Sequence, residues 1–118
     1  SDQWGSPTSG LDLADAIFHA ARLLLGGEVQ PGLYHLAGSG GINRRGLTQA
    51  LLATSGRLRR PKAQVREVAS KLDASRAPRP RDTRLECEKF AAAFDWRLPD
   101  WRDGVDAVVE RILGGEKV

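Results

Sequence analysis

Methionine is absent from this 118-residue chain, and cysteine and tyrosine occur once each. A single thiol, Cys87, excludes an internal disulfide and any Cys-x-x-Cys metal or redox pair. No apolar run approaches the length of about 18 residues that a membrane-spanning helix needs, so no membrane partner is expected. The start lacks the basic-then-apolar stretch of an export signal. With no sign of export, the compartment is read as cytoplasmic. The missing initiator methionine points to a chain trimmed or cut from something longer. What remains is ordinary for a globular protein, 41% hydrophobic and 28% charged. The length fits one domain spanning residues 1–118. A chain of this size buries a modest core.

Charge is unevenly placed. Ten Lys/Arg and three Asp/Glu lie between Arg57 and Arg84, and the remainder is net acidic. Such a basic segment suits an anionic partner, whether nucleic acid, a phosphate-bearing metabolite or an acidic surface, or is simply a solvated loop. No aromatic residue lies between Tyr34 and Phe90 to offer a stacking platform. Nucleic acid is therefore the weaker reading. It predicts an affinity that falls steeply with salt.

Apolar spacing predicts four helices. The first runs from Leu11 to Leu25, with Ala14, Ile17, Phe18, Ala21, Leu24 and Leu25 on its core face and a Ser9/Asp12 capping pair at its start. Gly26-Gly27 should end it. A strand from Gly32 to Ala37 and a flexible Gly38–Gly41 turn should follow. The second helix, Arg44 to Ser55, has Asn43 as N-cap, Gly56 as stop and Leu47, Leu51 and Leu52 as its stripe. A strand is expected near Gln64–Val68, and an extended Pro/Arg loop from Ser75 to Asp82. Thr83 and Glu86 have capping-box spacing and should open a helix to Phe94 with Cys87, Phe90, Ala91 and Phe94 on one face. The last helix, Asp100 to Leu113, should bury Trp101, Val105, Val108, Val109 and Ile112. Residues 114–118 should form a frayed tail. Four helices with two or three short strands make a mostly helical α/β subdomain, too small for an independent doubly wound sheet.

Few constellations carry chemistry. Gly38 and Gly40 begin a G-x-G-x-x-G spacing, but Asn43 stands at its third glycine and no acidic residue closes a second strand, so a plain turn is favoured over a cofactor loop. His19 and His35 lack metal-ligand spacing and read as structural. Cys87 reads as a buried thiol. No G-x-S-x-G elbow occurs. Two segments stand out. Ser1–Thr8 is a polar, Gly/Pro-containing loop leading into a helix N-terminus, able to offer amides and hydroxyls to a ligand. Arg79-Pro80-Arg81-Asp82-Thr83-Arg84 sets guanidiniums on a rigid loop, and arginine forks suit phosphates.

These segments resemble a known family. Asp2-Gln3-Trp4-Gly5-Ser6-Pro7-Thr8 is similar to its D-Q-x-G-x-P-T motif, and Asp12–Ala16 to the D-L-A-D-A helix that follows. Gly32–Gly38 matches G-x-Y-H-L-x-G, and Leu98-Pro99-Asp100-Trp101 matches L-P-x-W. Arg79–Leu85 resembles R-P-x-N-S-R-L, with Asp82 and Thr83 in place of Asn and Ser. The family is dTDP-4-dehydrorhamnose reductase, among the extended short-chain dehydrogenases/reductases, and the likeness covers only its C-terminal, substrate-binding part. The resemblance implies a Rossmann-type reductase whose nucleotide-binding half is absent here. NADPH would be held by that half, and no cofactor-binding or catalytic residue would lie in this chain. The only tyrosine, Tyr34, is followed by Gly38, so the Tyr-x-x-x-Lys pair is missing and the chain alone should be inactive. Gln3, Gly5, Pro7, Thr8, Arg79, Pro80 and Arg84 would line the site for a dTDP-sugar whose 4-keto group is reduced in dTDP-L-rhamnose synthesis. The N-terminal half would be the chief partner, and its absence should expose apolar surface that favours self-association. No residue of this chain is assigned to a metal, and the sequence leaves the metal requirement of the parent open. A non-catalytic binding member of the same family is the alternative. A full-length parent with the Rossmann glycines but no Tyr-x-x-x-Lys would favour it.

Overall fold

The computed structural model describes residues 2–58, 63–68 and 76–114. In chain order the elements are β1 (Trp4–Gly5), α1 (Gly10–Leu25), β2 (Ile42–Asn43), α2 (Arg44–Arg57), α3 (Glu88–Phe94) and α4 (Trp101–Leu113). β1 and β2 pair antiparallel, Trp4 opposite Asn43 and Gly5 opposite Ile42. The class is the mostly helical α/β arrangement expected.

Local chemistry sets the helix ends. The Ser9 hydroxyl caps α1 by accepting from the Leu11 and Asp12 amides at 3.2 and 3.4 Å. α1 stops at Gly26, and Gly27 follows with a left-handed φ of 72°. The Asn43 side chain accepts from the Gly46 amide at 2.9 Å and starts α2. The Asp100 carboxylate accepts from the Arg102 amide at 2.9 Å and starts α4.

Two clusters hold these elements. Trp101, Val105 and Val109 of α4 pack against Ile42, Leu47, Ala50 and Leu113. Each such burial stabilises by about 1.5–3 kcal/mol. Thr54 of α2 is almost fully buried and donates to Asp106 of α4, which also pairs with Arg57. The second cluster is aromatic. Phe90 and Phe94 stack at 4.4 Å, and Tyr34 meets Phe94 edge-on at 5.1 Å. His19 of α1 lies 2.7 Å from the Phe94 carbonyl and stacks on Trp96 at 4.4 Å. α4 approaches α1 closely at Gly104, where a Cβ would come within 3.0 Å of the Ser9 Cβ.

The radius of gyration is 17.0 Å, against about 13–14 Å for a compact domain of this length. Among the described residues the buried side chains fall into the two clusters above.

Several expectations are corrected. α1 buries Ala16, while Ile17, Phe18 and Leu25 of the expected core face are 57%, 75% and 90% exposed. This helix is apolar on more than one side, and periodicity does not say which side finds a neighbour. No ladder forms over 32–37, because no strand lies beside it among the described residues; Tyr34 and Leu36 turn inward while Leu33 and His35 are exposed. No strand forms over 64–68 either. The sheet is instead made by 4–5, within the segment read as loop, and 42–43, between the glycine turn and the second helix, where Asn43 is the expected cap. Gly56 lies inside α2, and Thr54 rather than Leu51 is its buried residue. α3 begins at Glu88, with no side-chain cap from Thr83. Cys87 is half-buried at that helix start, and Ile112 is exposed. Gly114 caps α4, and the expected tail at 115–118 lies outside the described residues.

Candidate functional site

The two loops singled out in the sequence lie against each other. The Trp4 amide donates to the Arg81 carbonyl at 2.7 Å, and the Thr83 amide donates to the Trp4 carbonyl at 2.9 Å. These bonds make a parallel bridge between Trp4 and Asp82. β1 therefore runs between β2 on one side and this arginine loop on the other. The Thr83 hydroxyl also donates to the Trp4 carbonyl, and the Leu85 amide donates to Ser6 Oγ. Thr83, read as a helix cap, is spent on joining the loops. Gly5 permits the approach, since a Cβ there would lie 3.3 Å from Thr83 Oγ1.

Arg84 crosses this junction. Its stem passes over Gly41, where a Cβ would come within 2.5 Å of the Arg84 Cδ. Its guanidinium lies 5.5 Å from the centre of the Trp4 ring. The same guanidinium forks Asp82, with Nε 2.9 Å from Oδ1 and Nη2 2.6 Å from Oδ2. Arg79 and Arg81 are exposed.

The glycine turn behind the loops is clamped, not flexible as expected. Thr8 Oγ1 accepts from the Gly38 amide at 3.0 Å and donates to the Ser6 carbonyl at 3.0 Å. A Cβ on Gly38 would lie 2.2 Å from the Pro7 carbonyl oxygen. On the far side, the Ser39 amide donates to the Pro99 carbonyl and the Trp101 amide donates to the Ser39 carbonyl, both at 3.0 Å. Four segments far apart in sequence thus meet at one turn: 2–8, 38–41, 79–85 and 98–101.

Of the predicted site residues, Gly5, Pro7, Thr8 and Arg84 are joined by these contacts. Gln3 is half-buried beside β1, and Arg79 and Pro80 are exposed immediately before the bridged Arg81. Pro7 and Thr8 serve the architecture, because the Thr8 hydroxyl already has two partners. Sequence reasoning missed Trp4, Ser6, Gly41 and Thr83. Pairing between distant loops leaves no local periodic signal.

The turn does not fit a dinucleotide. Gly38 is filled by Pro7, Gly40 abuts Trp101, and Gly41 lies under Arg84, so no open amide cradle faces a pyrophosphate. Among the described residues no three His, Cys, Asp or Glu side chains converge as metal ligands. No described helix is long and apolar enough to cross a membrane. An open pocket of about 260 Å³ lies elsewhere, around Glu88, Asp95, Trp96 and Arg97. Its Glu88 and Arg97 are paired with each other at 2.7 Å.

The Asp82 carboxyl is held at about 2, below its ordinary 3.8, chiefly by the Arg84 side-chain hydrogen bonds. Arg97 lowers Glu88, and the Thr54 hydroxyl lowers Asp106. Carboxylates whose folded values are depressed add stability above their unfolded values and lose it as pH falls through the folded ones. Thermal melts followed by circular dichroism should therefore keep a constant midpoint from pH 7 to about pH 5 as far as these groups are concerned. The midpoint should drop from about pH 4.5 toward pH 2. These pairs are largely exposed, so the drop should be modest and shrink in high salt. A midpoint unchanged down to pH 2 would contradict these pairings.

Among the described residues the chain is a mostly helical module in which two loops and a glycine turn are clamped together. Residues 1–113 match the family described as RmlD substrate binding domain. The chain is 35% identical to dTDP-4-dehydrorhamnose reductase of Escherichia coli K12, over 96% of its length and 38% of the relative. Against the enzyme of that name from Sinorhizobium fredii it is 28% identical, covering 96% of the chain and 39% of the relative. The Mycolicibacterium smegmatis enzyme of that name is 32% identical, over 97% of the chain and 33% of the relative. The chain spans less than two fifths of the length of these curated relatives. The chain belongs to the RmlD substrate binding domain family.

Proposed function

We propose that this chain is the substrate-binding part of an NADPH-dependent dTDP-4-dehydrorhamnose reductase. In this reading it binds and orients a dTDP-deoxysugar whose 4-keto group is reduced in dTDP-L-rhamnose synthesis. The carrying observation is the junction of loop 2–8 with the arginine loop 79–85. It presents exposed Arg79 and Arg81 beside a backbone fixed by Trp4 and Thr83. A nucleotide diphosphate needs such fixed cationic donors. Gln3 and Arg79 contact the substrate. NADPH and the proton donor belong to an N-terminal Rossmann half of the same protein, and this chain alone is inactive.

Two features support that partner half. The exposed α1 residues Ile17, Phe18 and Leu25 form an apolar row at helical spacing. Residues 33–36 alternate between exposed and half-buried side chains, and the segment has no strand beside it among the described residues. Both need covering in a complete reductase.

The test is calorimetric titration of dTDP and dTDP-rhamnose into the chain and into its Arg79→Ala and Gln3→Ala variants. Weak binding, to about millimolar, that is lost in both variants is the expected result. Binding that both variants retain would remove the site from these loops. If only the full-length protein binds, and its variants do not, the site is closed by both halves.

A further inference from the structure

Arg84 is the cation seated across the junction, and it is already occupied. Asp82 takes its Nε edge and one Nη2 proton, and Asp82 Oδ1 also accepts the Arg84 amide at 3.0 Å. The carboxylate is two residues away on the same loop, so it is always at hand. Trp4 lies under the guanidinium, and Gly41 makes room for its stem. Arg79 and Arg81, on the same loop, form no ion pair among the described residues. The loop thus holds cations of two kinds, one neutralised internally and two open.

We propose that Asp82 is a built-in competitor for the anionic ligand at Arg84, and so sets the affinity of the loop for phosphate groups. This rests on the substrate-site reading above. A phosphate oxygen approaching Arg84 meets either the Asp82 carboxylate in the fork or its negative charge beside the remaining Nη1 donors. Both oppose binding. The Asp82–Arg84 pair is about half exposed, and exposed pairs are weak enough for a doubly charged phosphate to displace. Trp4 and Gly41 keep the guanidinium in place once Asp82 has left it. Arg79 and Arg81 therefore make the first contact, and Arg84 joins only at the expense of its internal partner.

The test is titration of inorganic pyrophosphate at pH 7 into the chain and into Asp82→Asn, Arg84→Ala and the double variant. Asparagine keeps an oxygen to accept the Arg84 amide while removing the charge and one of the two fork acceptors. Asp82→Asn should bind about fivefold more tightly. The gain should vanish in the double variant, and Arg84→Ala should weaken binding less in the parent chain than in the Asp82→Asn background. Asp82→Ser, which also keeps a hydroxyl acceptor, should reproduce the gain if the asparagine variant fails to fold. If the parent chain binds and Asp82→Asn binds no better, the inference is overturned while the substrate site stands. A gain that survives without Arg84 also overturns it. If no variant of the chain binds pyrophosphate, the same variants are titrated in the full-length protein: no gain for Asp82→Asn there overturns the inference, and no binding by any full-length variant removes the substrate site itself.

Discussion

Phe94→Ala is expected to lower folding stability by about 3–5 kcal/mol, the range for truncating a buried aromatic side chain. Phe94 is 2% exposed. It stacks on Phe90 and receives the edge of Tyr34, so it ties α3 to the segment leading into the glycine turn. Its carbonyl lies within hydrogen-bonding distance of His19 on α1. Removing the ring leaves a cavity where three parts of the chain meet. Total stability for a domain of this size is about 5–15 kcal/mol, so the loss is a large share of it. Denaturant unfolding followed by tryptophan fluorescence measures it. Phe94→Leu, which keeps most of the volume, should cost less than Phe94→Ala. A loss below about 1 kcal/mol for alanine would mean that the aromatic cluster does not hold the fold.

Gly38→Ala should be nearly as damaging for a different reason. The new Cβ would stand 2.2 Å from the Pro7 carbonyl oxygen, a backbone atom that cannot rotate away. Residues 5–8 must then move as a unit. The Gly38 amide would lose Thr8 Oγ1, and Gly5 would shift against Thr83. Overpacking costs about 1–3 kcal/mol and a lost hydrogen bond about 1 kcal/mol, so a total of about 2–4 kcal/mol is expected. Gly10→Ala is the control, because nothing lies within 4 Å of its Cβ position. Where Gly38→Ala still folds, its affinity for dTDP should fall with the displaced loop, while Gly10→Ala leaves both properties unchanged. Equal behaviour of the two variants would refute the packing of loop 2–8 on the turn.

Much of the helical framework was legible from local chemistry. Ser9 and Asn43 are short polar side chains placed where amides need acceptors, and each caps a helix as read, whereas Asp100, read as the first residue of α4, is its cap. Gly26-Gly27 ends α1 as read. The aromatic spacing of Phe90 and Phe94 correctly marked the buried side of α3. The motifs at 2–8, 32–38, 79–85 and 98–101 pointed to the family, and the family match bears this out. The substrate role assigned to Gln3 and Arg79 is a matter for titration.

The misreadings share one cause. Strand 32–37, the core face of α1 and the Thr83 cap were each judged from the segment alone. A strand requires a neighbour to accept its hydrogen bonds. A helix with apolar residues on more than one side must be told which side meets a core. Thr83 could cap a helix or brace Trp4, and only the approach of loop 2–8 decides. The contact of buried Thr54 with half-exposed Asp106 was equally invisible, because its members lie on different helices.

The sequence by itself determined the positions of the helices, the basic loop, the single thiol and the family, since capping, periodicity and motif identity are local properties of neighbouring residues. Only the tertiary structure decided that loops 2–8 and 79–85 are joined by a bridge at Trp4 and Asp82, that Arg84 is held between Asp82 and Trp4, and that the glycine turn is clamped. Those are contacts between residues distant along the chain. They exist because the packing of α4 and the fit of glycines 5, 38 and 41 bring the backbones within hydrogen-bonding reach.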